Sequence, residues 1–235
     1  MKTKAYVKFL NSIATFDYDI DLLDEFSCRQ LTSSDVSPKH INLKKLSLTK
    51  AEFKNRANHL KSTFYDGIVK CYYESMMAYF LGVVNAVLRT GIFVDKLVGS
   101  DARMMSEKEV LHCGSWEGVC AEIAKNYVRT LDNLRDSEKS IKKFIGCLEL
   151  NVSKNDWERI LPWCEIRHLL VHHEGVCDKR FHEKFGSMFP CQTGRPFTLG
   201  YHEITKLRND ILSFIEKIDA EIVAKKRVGQ SFCQP

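Results

Sequence analysis

Proline and glycine are scarce, at five and twelve residues of 235. A chain with so few turn-formers is not a turn-rich sheet protein, and it favours long helices. No uncharged run approaches the roughly 20 residues needed to span a bilayer. Lys8 and Asn11 interrupt what would be the apolar region of a signal peptide in MKTKAYVKFLNSIA. There is no phosphate-cradling glycine loop, no nucleophile elbow and no dinucleotide fingerprint, which removes the kinase, hydrolase and Rossmann readings. Nine cysteines are present, an odd number, and no pair shows CxxC spacing. They read as reduced thiols, and with no leader or membrane segment the expected location is the cytoplasm.

What is there is ordinary for a globular protein: 44% hydrophobic residues, 28% charged residues and a formal net charge of +5. That charge permits contact with a polyanion and does not by itself demand one. Residues 1–48 read as an N-terminal extension and linker: a loosely helical stretch over 4–31, interrupted by the acidic DYDID at 17–21, then SSDVSPKH at 33–40. Residues 49–235 read as the main helical domain. In LSLTKAEF, Thr49 and Glu52 form a capping box, with Leu48 and Phe53 as a hydrophobic staple. An apolar stripe from Leu60 to Val87 follows, with Gly67 as the expected break. Further helices are expected from the capping-box form SEKE at 106–109, from Ser115, from Ser137 and from Ser153, with Pro162 either kinking the last or standing in the first turn of a new one. GSMFPCQTGRPFTLG at 186–200 reads as a loop, and a last amphipathic helix starts near Tyr201. The basic tail AKKRVGQSFCQP is expected to fray. No strand is expected, and the fold class is all-α.

The chemistry concentrates in WCEIRHLLVHHEGVCDKRF, residues 163–181. Ile166, Leu169 and Leu170 share one helical face. Glu165, His168 and His172, at i, i+3 and i+7, share another. Arg167 lies about 140° from His172 on an ideal helix, so it borders that polar face. Gly175 is placed to end the helix. Histidine suits proton transfer near neutrality, and arginine binds phosphate through a planar fork without losing its proton. Taken singly, Arg167 also fits a side chain snorkelling over core or pairing with Glu165 or Glu174. His172 likewise fits an imidazole favoured by the helix C-terminus.

RHLLVH at 167–172, preceded by Glu165 and followed by His173, Gly175 and Asp178, resembles the RNase motif of the HEPN superfamily. More narrowly, it resembles the RiboL-PSP-HEPN-like branch. The resemblance covers residues 49–225, and it departs from the usual pattern at His173, where asparagine is commoner. It implies a HEPN-like helical bundle in a homodimer, with two copies of Arg167 and His172 facing each other in one cleft. The implied function is a metal-independent endoribonuclease of toxin or phage-defence type, acting on RNA by 2′-hydroxyl attack. Arg167 and His172 would be catalytic, and Glu165, His168 and His173 auxiliary or substrate-binding. No cofactor and no metal are implied, and an antitoxin or regulatory protein is a possible partner. The alternative is a catalytically silent HEPN-fold module that dimerises and binds nucleic acid or a nucleotide. A rival use of the same residues is a zinc site in which Cys164, His168 and His172 share a face and Cys177 or Cys191 completes a tetrahedron.

Overall fold

The capping box opens the helix on which the rest of the chain packs. The computed structural model describes residues 1–31, 49–91, 97, 105–134, 136–189 and 191–234. The Glu52 amide donates to Thr49 Oγ1 at 3.2 Å, and the Thr49 amide donates to the Glu52 carboxylate at 2.8 Å. Two of the amides that a helix start leaves unpaired are thereby satisfied. The Leu48–Phe53 staple and the 33–40 linker lie outside the described residues.

The described helices are α1 (Lys4–Leu31), α2 (Lys50–Arg89), α3 (Glu107–His112), α4 (Trp116–Asn133), α5 (Ser137–Cys147), α6 (Lys154–Glu158), α7 (Leu161–His172), α8 (Lys179–Phe185) and α9 (Tyr201–Ala224). The all-α class expected from the sequence is what the chain adopts. Helix α2 packs against α1, α4, α7 and α9. It therefore buries residues on several sides, among them Tyr65, Tyr72, Met76, Phe80, Val84 and Val87. The expected break at Gly67 does not occur: the helix runs through it, and a Cβ there would meet nothing within 4 Å. Glycine costs a helix about 1 kcal/mol relative to alanine, too little to interrupt one packed on both sides of that point. No helix among the described residues is long and apolar enough to cross a membrane.

Residues 4–20, read from sequence as part of an extension, contribute to the same core. Tyr6, Phe9, Ile13 and Ile20 are buried with the α2 stripe. The acidic DYDID does not interrupt α1, and two of its carboxylates have partners on neighbouring helices. Asp17 accepts from Arg208 Nε at 2.5 Å and Nη2 at 2.6 Å, and from the Tyr72 hydroxyl at 3.1 Å. Asp21 accepts from the Tyr201 hydroxyl at 3.3 Å.

The termini also differ from expectation. Lys2–Thr3 and Cys233–Gln234 form a two-residue antiparallel pair, in the register Lys2↔Gln234 and Thr3↔Cys233. Asp219 of α9, nearly fully buried, accepts from the Thr3 amide and hydroxyl and from the Tyr79 hydroxyl. A buried carboxylate needs such donors. The tail does not fray: Arg227 pairs with Glu149 at 2.9 Å, Val228 is buried, and the Arg89 guanidinium lies over the Phe232 ring. Two residues of strand carry no periodicity, so neither the pairing nor the docked tail has a local signature.

Candidate functional site

Helix α7 is positioned by its apolar side. Pro162 stands in its first turn, where a missing amide costs nothing. Trp163, Ile166 and Leu169 are buried. The Trp163 indole N–H donates to Asp210 Oδ2 of α9 at 3.1 Å, and the ring meets Phe189 edge-on at 4.6 Å between centroids. The helix ends through two left-handed residues, Glu174 and Gly175. The Gly175 amide donates to the Leu169 carbonyl at 3.0 Å. With φ +72°, and Leu170 Cδ2 3.0 Å from where a Cβ would stand, this position requires glycine. The chain then reverses into Val176–Cys177, against which residues 194–197 are hydrogen-bonded.

That reversal leaves the end of α7 open to solvent on its polar side. Glu165 and His168 are half-buried, while His172 and His173 are exposed. The His168 ring centroid lies 4.7 Å from that of His172 and 5.8 Å from that of His173. Partial burial, and then the neighbouring imidazole of His172, push His168 below the usual histidine range, while the Glu165 carboxylate acts in the opposite direction. His168 is therefore held neutral at a pH where an ordinary histidine begins to charge. A cleft of about 150 Å³ lies beside these rings, walled by Glu165, His168, His173, Asp178, Arg180 and Lys184 and floored by Leu169, Phe181 and Phe185. Asp178 caps α8 by accepting from the Phe181 amide at 2.7 Å, and Lys184 pairs with Glu138 at 3.6 Å.

Arg167 turns elsewhere. Its guanidinium lies over the Tyr73 ring, 4.5 Å from the centroid, and Nη1 is 3.8 Å from Asp132 Oδ1. The Tyr73 hydroxyl donates to the same Asp132 oxygen at 2.9 Å. Burial raises the Tyr73 pKa above the usual tyrosine range, so it remains a donor. Within one chain the structure thus brings Glu165, His168 and His173 around one cleft and sets His172 beside it. Arg167 is held on the adjoining side by α2 and α4 rather than by the Glu165 or Glu174 considered from sequence.

Sequence reasoning missed Tyr73 and Asp132 as the seat of Arg167, since both lie on other helices and far from it in the chain. It also passed over Arg180 and Lys184, although their i, i+4 spacing just after the motif places both on one helical face. The zinc set built on Cys164 does not assemble. Among the described residues, the donor atoms of Cys164, His168 and His172 do not gather within metal-ligand range of one another. Cys177 and Cys191 converge instead on His182.

No family model matches this chain, and neither a curated protein nor a solved structure resembles it significantly.

Proposed function

We propose that the exposed end of α7 is the working face of a metal-independent endoribonuclease, HEPN-like in kind and toxin or phage-defence in role. The observation that carries this reading is the cluster of three imidazoles, His168, His172 and His173, beside a cleft that also presents Arg180 and Lys184. In-line cleavage needs one neutral imidazole to take the proton of the 2′-hydroxyl and one imidazolium to protonate the departing 5′-oxygen. The 2′-oxygen bonds to phosphorus as the P–O5′ bond breaks, leaving a 2′,3′-cyclic phosphate and a 5′-hydroxyl. Two nearby histidines with different proton affinities suit those tasks, and His168 is the one biased toward the neutral form. Cationic side chains offset the charge of the transition state.

Arg167 fits this scheme best from a second copy of the chain. In a two-fold homodimer with the two α7 ends facing, an arginine of one copy serves a phosphate beside the His172 of the other. The site then acts on RNA in the cytoplasm and is restrained by an antitoxin or regulatory partner. A second reading is favoured by one observation: Arg167 already has Asp132 and Tyr73 as partners. If those contacts are permanent, the face is a catalytically silent dimerisation surface that binds nucleic acid or a nucleotide.

Incubation of the purified chain with total cellular RNA in excess EDTA, beside His172→Ala, separates the two. Cleavage by the wild type alone, with cyclic phosphate ends, supports the nuclease. A folded wild type that binds RNA without cutting it supports the silent module. Mass in solution checks the dimer, and a strict monomer at micromolar concentration removes the composite site.

A further inference from the structure

Just beyond the imidazole face the chain builds a second cluster of different chemistry. Cys177 leaves the turn after α7 in extended form. Its amide donates to Arg195 O at 2.9 Å, and its carbonyl accepts from the Gly194 amide at 2.8 Å. With residues 194–197 bonded back along this stretch, Cys191 Sγ lies 2.9 Å from Cys177 Sγ. His182 of α8 turns Nδ1 to within 3.8 Å of Cys191 Sγ. The three donor atoms all lie within 4.8 Å of one another.

Gly186 lies close against His182. A Cβ on Gly186 would stand 2.5 Å from His182 O, 3.0 Å from its Nδ1 and 3.3 Å from its Cε1. A side chain there would clash with the His182 carbonyl and crowd its ring. Ligands around a tetrahedral zinc ion, bonded at 2.0–2.3 Å, sit roughly 3.3–3.8 Å apart. The His182–Cys191 separation already matches that spacing, and the two sulfurs have to open by less than about 1 Å. Cys177 is buried, Cys191 partly so, and His182 exposed, which leaves one side of the cluster open to solvent.

We propose that Cys177, His182 and Cys191 form a binding site for a thiophilic divalent cation, zinc by the nature of its donors, with water as the fourth ligand. Two thiolates and one imidazole select such an ion over magnesium or calcium. The bound ion staples residues 191–197 to α8, the helix that carries Arg180 and Lys184 into the neighbouring cleft. A disulfide would need only the two sulfurs. It would not account for the approach of the His182 imidazole to Cys191.

The test uses the full chain, reduced and stripped of metal, titrated with Co²⁺ and then with Zn²⁺. One equivalent of Co²⁺ should produce thiolate-to-cobalt charge transfer and the intense visible bands of a tetrahedral ion, and one equivalent of Zn²⁺ should abolish both. His182→Ala and Cys191→Ser, at positions that are not fully buried, should each weaken binding at least about tenfold while keeping the wild-type helical signal. Cys113→Ser should bind as the wild type does. Absence of the charge-transfer band, or undiminished binding by both variants, overturns the site. So does a reduced chain that binds no metal beside an oxidised one whose thiol count has fallen by two, since that identifies a Cys177–Cys191 disulfide. Zinc content is separable from cleavage, because RNA assays on zinc-loaded and zinc-free protein report on the two claims independently.

Discussion

Arg208 and Arg167 are both held by an aspartate of another helix, and they are held very differently. Arg208 grips Asp17 through two short hydrogen bonds, 2.5 and 2.6 Å, with the Tyr72 hydroxyl completing the carboxylate. That geometry is the bidentate pairing by which arginine locks two elements together. Arg167 has one longer contact, 3.8 Å to Asp132, and rests on the face of Tyr73. A single contact of that length over an aromatic ring holds the guanidinium in a direction without using up its hydrogen-bonding fork. The first arginine is a clamp between α1 and α9, and the second is the one that the proposed nuclease reading sets against a phosphate.

The sharpest way to break this contrast is activity. On the nuclease reading, Arg167→Ala and His172→Ala each lower RNA cleavage by at least about 10²-fold, measured as initial rates on a defined RNA, while Arg208→Met stays within a few-fold of the wild type. Equal losses at Arg167 and Arg208 would show that both act only through the fold. Stability reverses the order. Arg208→Met leaves the half-buried Asp17 with only a tyrosine partner and should cost about 2 kcal/mol, read as a shift in the urea midpoint at unchanged slope. Arg167→Ala should cost less than about 1 kcal/mol, because it loses one long ion pair and one cation–π contact.

Smaller effects sharpen the picture at the same helix end. Asp132→Asn keeps an acceptor for the Tyr73 hydroxyl but removes the charge facing Arg167. It should tighten RNA binding at low salt while shifting stability by under about 0.5 kcal/mol, and unchanged RNA affinity would mean that Arg167 does not reach the nucleic acid. The smallest effect is pH-dependent. With its folded pKa below its unfolded value of about 6.5, His168 resists protonation only when folded. The unfolded chain then binds more protons, so stability falls as the pH drops from about 6.5 toward the folded value. His168→Gln should remove that part of the slope. In proton NMR, His168 should titrate below the ordinary histidine range, and His172→Ala should raise its midpoint by removing a neighbouring positive charge.

Much of this was legible in the residues because the interactions involved are local. Capping boxes at Thr49 and Ser106 close over three residues, and both form as read. The spacing of Glu165, His168 and His172 placed them on one helical face, and Gly175 was recognisable as the helix end. Local signals misled where a neighbour two helices away decides the outcome. Gly67 and DYDID look like breaks until α1, α2 and α9 pack across them. Ser137 reads as a cap, yet Asp136 takes that place by accepting from the Glu138 and Lys139 amides.

The all-α class, the main helix starts and the polar face of α7 follow from the order of residues alone, since periodicity and capping act within a turn or two of helix. It takes the packed bundle to seat Arg167 on Tyr73 and Asp132, to dock the tail beside Thr3 and to bring Cys177, His182 and Cys191 together. Each of the first two joins groups dozens of residues or more apart in the chain, and the third depends on how an irregular loop folds back. Such contacts follow from the burial of apolar surface across the whole bundle, which no window of a few residues contains.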